Sequence, residues 1–433
     1  MYHKKLSLLL LPLFILASCT QQPPFPADAV TFSENNGGLT LPDGFRASVV
    51  ADSIGYARHL TVDDDGDIYV VLREPQNGKG IAALRDQDND GNAEQIEYFS
   101  EFTDTGIRLH NGYLYVSTDS SVHRYQMTGD DLIPSAEPQT VISGFPDQSS
   151  HAAKSFTFDE SGNIYVNVGA PSNACQQESR TKGSPGMEPC PHLERQAGIW
   201  KFSADSLNQT QNEDGQRYAT GIRNAVALDW NETTDHLYVV QHGRDQLNTL
   251  WPDYYTAEDN AALPAEEFFL VNEGDNFGWP YAYYDWQKDQ KMVMPEYGGD
   301  GETPVEEGEY EDPIMAFPGH WAPNDLLFYT HNHFPERYVN GAFIAFHGSW
   351  NRAPEPQQGY KVVFVPFSGE TPSGDYEEFA TGFPGSESPQ PGSAEHRPMG
   401  LAQGPDGTLY ITDSQKGKVW RVVYTGSETG TGE

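Results

Sequence analysis

A short unit, a turn followed by Gly-x-(Ile/Leu)-Tyr-(Val/Ile), recurs along the 433-residue chain and limits the folds open to it. It reads Asp65-Gly66-Asp67-Ile68-Tyr69-Val70, then Asn111-Gly112-Tyr113-Leu114-Tyr115-Val116, then Ser161-Gly162-Asn163-Ile164-Tyr165-Val166. Degenerate copies stand at Asp235-His236-Leu237-Tyr238-Val239 and Asn340-Gly341-Ala342-Phe343-Ile344-Ala345, and a clean one closes the series at Asp406-Gly407-Thr408-Leu409-Tyr410-Ile411. Each copy is a turn feeding a short β-branched and aromatic strand, and the first three recur at about the length of one four-stranded blade. Six copies predict an all-β fold, a six-bladed β-propeller with four-stranded antiparallel blades, over residues 39–425. Such a fold is one large domain, because its blades bury their faces only against each other. The 42 Gly and 31 Pro interrupt the chain too often for long helices, while 23 Tyr and 22 Phe suit half-buried strands.

The ends read differently. Lys4 and Lys5 form a basic start, Leu6 to Leu16 an apolar run, and Leu16-Ala17-Ser18-Cys19 resembles a bacterial lipobox. On this reading residues 1–18 are a signal peptide, Cys19 is lipidated, residues 19–38 are a flexible tether and residues 426–433 a disordered tail. The other reading is an ordinary secretory signal with a chance cysteine. Both predict export, and the first adds lipid anchoring in the periplasm or at the cell surface of a bacterium, with no other membrane contact. In an oxidising compartment Cys175 and Cys190 are expected to pair, contributing on the order of 3 kcal/mol by the chain-entropy model. A metal site using His192 is the alternative for these cysteines, although the spacing matches no zinc pattern.

Charge narrows the partners. Lys and Arg total 26 against 63 Asp and Glu, a formal charge of −37, which excludes nucleic acid and favours a neutral or cationic partner. The same acidity also serves solubility alone. With basic residues so scarce, an arginine at a strand end near the axis is a candidate anion contact.

Four ordered segments stand out. They are Tyr218-Ala219-Thr220-Gly221-Ile222-Arg223-Asn224-Ala225-Val226-Ala227-Leu228, Glu273-Gly274-Asp275-Asn276-Phe277-Gly278-Trp279-Pro280, Phe346-His347-Gly348-Ser349-Trp350-Asn351-Arg352 and His396-Arg397-Pro398-Met399-Gly400-Leu401. Together they resemble the soluble quinoprotein sugar dehydrogenases, the glucose, sorbosone and pyranose dehydrogenases that use pyrroloquinoline quinone (PQQ). Ala225 and Ala227 replace that family's usual proline and glycine. The resemblance implies oxidation of a sugar or polyol by hydride transfer to PQQ. A tricarboxylate ortho-quinone needs cations for its acids and a polarising group at its oxygen. The resemblance implies Arg223 and Asn224 beside the quinone oxygens, with Arg223 also catalytic, Arg397 on a carboxylate, and Arg352 at a basic position of the fifth blade. It also implies a calcium ion held by the backbone carbonyls of Gly243 and Arg244 in Gln241-His242-Gly243-Arg244-Asp245, where Arg244 replaces a proline and would repel the ion unless its side chain turns away.

Alcohol oxidation also needs a base. His151 aligns with the family's histidine, and His347 is its rival or a second contact. Arg73, ending the strand from Ile68, is either another cofactor contact or a plain surface strand end. His320, Trp321 and Asn324 are candidates for the substrate cup, and the alternative is a turn that packs its tryptophan. No Cys-x-x-Cys-His is present, so electrons are expected to leave to an external acceptor such as a cytochrome.

One metal motif lies apart. Asp86-Gln87-Asp88-Asn89-Asp90-Gly91-Asn92-Ala93-Glu94-Gln95-Ile96-Glu97 fits a twelve-residue EF-hand loop, with Asp86, Asp88, Asp90, Asn92 and Glu97 as ligands, although no helices flank it. The alternative is an Asp-rich turn. Two other functions share the fold: a lactonase-type hydrolase with an axial metal, and a non-catalytic binding module of the same family.

Overall fold

The computed structural model describes residues 30–390 and 392–426. The signal peptide, Cys19, the first part of the expected tether and residues 427–433 of the expected tail lie outside them. Six four-stranded antiparallel blades surround one axis. Blade 1 begins with Ala57–Val62, blade 2 with Ile107–His110 and blade 3 with Phe156–Phe158. Blades 4, 5 and 6 begin with Ala227–Asn231, Pro323–Phe328 and Pro398–Gln403. The ring closes through the N-terminal strand Phe45–Ala51, which pairs antiparallel with Val419–Tyr424 as the outer strand of blade 6.

Every copy of the repeated unit is the second strand of its blade: Ile68–Gln76, Tyr113–Ser117, Asn163–Val168, His236–Gln241, Ala342–Phe346 and Leu409–Asp413. The turn before it needs one left-handed residue. Gly66, Gly112, Gly162 and Gly407 supply it at φ of 91°, 77°, 84° and 81°. In the degenerate copies Asp235 and Asn340 take that conformation instead, at 59° and 62°, which these two residue types tolerate best after glycine.

The six inner strands meet around the axis without pairing as a sheet, so their inward backbone groups need side-chain partners. Asp229 accepts from the Phe328 amide at 3.0 Å, and Asp325 from the Leu401 amide at 2.8 Å. Arg108 donates to the carbonyls of Phe156 and Leu228, and Thr61 accepts from the Leu109 amide. These polar links fix each blade against the next, and aromatic clusters such as Phe45, Phe334, Tyr338, Phe343 and Phe379 fill the space farther out.

One boundary differs from the sequence reading. Residues 30–38 pack on the propeller: Thr31 N donates to Asp90 O, Ser33 N to Ala47 O, and Trp420 Nε1 to Gly37 O. Backbone pairing with a neighbouring strand overrides the turn-rich composition that suggested a tether up to residue 38. The insertion of residues 169–197 in blade 3 and the long connections of blade 4 pack together around Cys175, Cys190, Leu247, Trp279, Tyr283 and Met294. There Cys175 and Cys190 form a disulfide with Cα atoms 6.2 Å apart.

Candidate active site

The segments entering the first strands and leaving the second strands lie at the same end of the blades, because those strands are antiparallel. They enclose a cavity of about 800 Å³ on the axis. His151, Arg223, Asn224 and Arg397 precede inner strands, while Arg73, Gly243 and His347 lie near the ends of second strands, and all seven line it. His320 and Asn324 also line it, and Trp321 is buried against Phe346 and Tyr376 instead.

His151 adopts φ of 51° and is half-buried. Its Nδ1 lies 2.6 Å from the Ala170 carbonyl, which accepts a hydrogen, so Nδ1 carries the proton and Nε2 keeps its lone pair. Burial first, and then the Arg223 charge, lowers its pKa to about 3. The ring is therefore a neutral base. His347 Nε2 is 2.6 Å from Ser414 Oγ, and burial followed by the Arg397 charge holds it well below the usual range. His242 donates from Nε2 to the Pro323 carbonyl at 2.7 Å and is lowered to about 4, by burial and then Arg223.

These depressed values predict a pH dependence. In the unfolded chain the histidines bind protons near pH 6.5, and in the fold they do so only near 3 to 4. The stabilisation from keeping them neutral is complete above the unfolded value and is lost as pH falls toward the folded one. Glu266, raised by burial to about 7, gains stability over the same fall in pH and opposes the histidines. The histidine share is therefore read as a difference: from pH 6.5 to 4 the urea midpoint of wild type is expected to fall more than that of His242→Gln, by up to about 1.4 kcal/mol per pH unit, and identical profiles would contradict the neutral assignment.

The cations are unevenly paired. Arg58, Arg73 and Arg397 line the cavity, and none forms an ion pair with a carboxylate among the described residues. Arg58 donates from Nε and Nη2 to Thr105 Oγ1, and burial, opposed by Asp104 and aided by Arg73, lowers it to about 10. Arg397 donates to the carbonyls of His347 and Gly348. Arg180 and Arg223 share Asp245, at 3.0 and 3.3 Å. Burial raises Asp245, but Arg223, His320 and Arg180 outweigh it and bring its pKa to about 2. Glu266 accepts from the amides of Gly243 and Ala322, and burial raises it to about 7.

Two expected positions, Arg352 and Glu97, are corrected. Arg352 lies outside the cavity, its guanidinium spent on the carbonyls of Ala261, Gly319 and Pro356, so it ties loops together. The Arg244 side chain turns away from the axis into a fully buried pair with Glu296, which removes its charge from the Gly243 turn. Glu97 is on the strand Gln95–Phe99 opposite Ala83, while Asn92 donates from its backbone N and Nδ2 to Asp90 Oδ1. With a strand where an EF-hand has a helix, the twelfth position cannot swing back. Glu94 instead joins Asp86, Asp88 and Asp90, with oxygens within 4.8 Å of one another.

Sequence reasoning missed Arg58, Arg180, His242, Asp245 and Glu266. His242 and Asp245 flank the named Gly243 and were open to the same argument. Arg58 lies within an inner strand and Arg180 within an aperiodic insertion.

Comparison with known proteins adds the following. A family model described as TrAA12-like matches residues 39–425. A PQQ-dependent pyranose dehydrogenase of Coprinopsis cinerea is 24% identical over 88% of this chain, which spans 54% of that protein's length. The holo PQQ domain of the Coprinopsis cinerea pyranose dehydrogenase superposes with a TM-score of 0.70 at 20% identity, covering 89% of this chain and 97% of that one. A calcium structure of a Trichoderma reesei enzyme of Carbohydrate-Active Enzymes Family AA12 gives 0.73 at 18% identity, covering 91% and 98%.

Proposed function

Because the chain belongs to the TrAA12-like family, we propose that it is an oxidoreductase that oxidises a sugar or polyol with PQQ and passes the electrons to an external acceptor such as a cytochrome. The observation that carries this reading is the group of arginines without carboxylate partners, Arg58, Arg73 and Arg397, around one cavity with a neutral His151. Arg73 is exposed and Arg58 and Arg397 are half-buried, so their charge is open to the cavity, and a tricarboxylate would complement it. The cavity volume and donor set fit PQQ, which when bound supplies an ortho-quinone that accepts hydride.

The residues divide the remaining work. His151 Nε2 removes the substrate hydroxyl proton, while the Ala170 carbonyl holds the ring in the tautomer that leaves Nε2 free. Arg58, Arg73 and Arg397 hold carboxylates. Asn224, buried beside Asn167, and Arg223 border the reacting region, and His347 lines it from blade 5. A calcium ion would be held by the backbone carbonyls of Gly243 and Arg244: the Arg244 side chain is turned away, and the Gly243 carbonyl, which accepts from Arg223 Nη1 at 2.7 Å, keeps a second lone pair for the ion. A second calcium belongs in the loop of Asp86, Asp88, Asp90 and Glu94, where it would brace the edge of blade 1. Export with a lipid at Cys19 completes the proposal. The hydrolase alternative needs carboxylates converging on an axial metal, whereas the metal-competent acid group among the described residues, Asp86, Asp88, Asp90 and Glu94, lies away from the cavity.

The test is reconstitution of the purified protein with PQQ and Ca²⁺, followed by bleaching of an artificial dye on addition of pyranoses and polyols. Saturable quinone binding that weakens on chelation, with sugar-dependent bleaching, is the expected result. Absence of quinone binding would overturn the reading.

A further inference from the structure

The guanidinium of Arg223 has no donor to spare. Its Nε donates to the Asn173 carbonyl at 3.1 Å, and Nη1 to the carbonyls of His242 and Gly243 at 3.4 and 2.7 Å. Its Nη2 donates to Asn173 Oδ1 at 3.0 Å and Asp245 Oδ2 at 3.3 Å. These contacts use every N–H that an arginine carries. Arg180 differs. Its Nη2 donates to the same Asp245 oxygen at 3.0 Å and its Nη1 to Gln246 Oε1, and its other N–H groups have no protein partner among the described residues. Its side chain, 39% exposed, lines the cavity.

On this wall of the cavity one carboxylate oxygen therefore lies between two guanidiniums, and of the two only Arg180 keeps N–H groups without a protein partner among the described residues. The proximity is felt: burial makes Arg223 less basic, Asp245 opposes that, and Arg180 adds to it. Arg180 reaches this place because it sits at the tip of the insertion tied by Cys175–Cys190, where Arg180 N donates to Gln176 Oε1 and Gln176 Nε2 to the carbonyls of Thr181 and Ser184. The tip is thus held by backbone contacts, and the Arg180 side chain is available for a ligand.

We propose that Arg180 binds a ligand carboxylate directly on this wall, and that Arg223 works behind it as a positioning residue that fixes Asp245 and the Gly243 turn. A planar fork with free donors suits a carboxylate. The inference rests on the PQQ reading, and the carboxylate belongs either to the quinone or to an acidic sugar held above it.

Titration of the protein with PQQ, followed by the quinone's absorbance in the presence of Ca²⁺, tests it. Arg180→Gln is expected to bind PQQ roughly tenfold to hundredfold more weakly, with an unchanged melting temperature, and Arg180→Lys to recover part of the loss. If PQQ binding is unchanged, the quinone-loaded Arg180→Gln variant is expected to lose a preference for galacturonate over galactose by a similar factor, which assigns the carboxylate to substrate. Wild-type behaviour in both measurements overturns the proposal. Failure of the wild-type chain to bind PQQ appears before any variant is compared, and it overturns the functional reading and this inference together.

Discussion

His151→Asn is expected to lower turnover about 10²- to 10⁴-fold while leaving PQQ binding within a factor of two or so of wild type. Asparagine is the informative replacement because His151 sits at φ of 51°, a conformation asparagine tolerates better than most residues. Its side-chain amide can also donate to the Ala170 carbonyl that now takes the Nδ1 proton. The turn and its tether are kept, and only the Nε2 lone pair is removed. The pH profile gives an independent check. With a pKa near 3, His151 remains deprotonated across the working range, so wild-type turnover should show no acid limb near pH 6.5. Undiminished turnover in His151→Asn would transfer the base role to His347, a second neutral imidazole on the cavity.

The architecture was legible because it is written in repeats. A left-handed turn residue followed by a buried aromatic strand appears once per blade, so one local signal counts the blades and marks the same strand in each. The site was partly legible for the same reason. Residues just before a first strand or near the end of a second strand must reach one end of the ring, which places His151, Arg223, Arg397, Arg73 and His347 together. Alternation along a strand says which side chains point inward, and the repeats supply the register.

Loops lack that register. In His347-Gly348-Ser349-Trp350-Asn351-Arg352, Trp350 and Asn351 line the cavity, whereas Arg352 at the end of the run caps carbonyls elsewhere. No spacing rule separates these neighbours, because the chain has left the strand. Arg180 was hidden for a related reason, since its position depends on how two insertions pack around a disulfide. The acidic loop shows the converse error. Asp86, Asp88 and Asp90 were placed by local turn geometry, but the choice between Glu94 and Glu97 depended on whether a helix or a strand followed.

Glu296→Ala is expected to cost about 3–5 kcal/mol of stability. Arg244 and Glu296 are both completely buried, and their side chains meet directly. Glu296 also accepts from Trp251 Nε1 at 2.8 Å, while Arg244 Nη2 has no partner among the described residues. Removing the carboxylate would strand a guanidinium that cannot lose its proton and would orphan the tryptophan N–H as well. The loss should appear as a lower urea midpoint with the slope of the transition unchanged. The double variant Arg244→Met with Glu296→Leu removes both charges together and is expected to recover much of it, because an apolar pair has no desolvation penalty. Function should follow stability only in part. Arg244 is the neighbour of Gly243 and Asp245, so its buried anchor also fixes the turn that faces the cavity. Glu296→Ala should therefore weaken quinone binding even at temperatures where it is fully folded, and the apolar double variant should restore stability more completely than it restores binding. Equal recovery of both would show that the ion pair supports the fold alone.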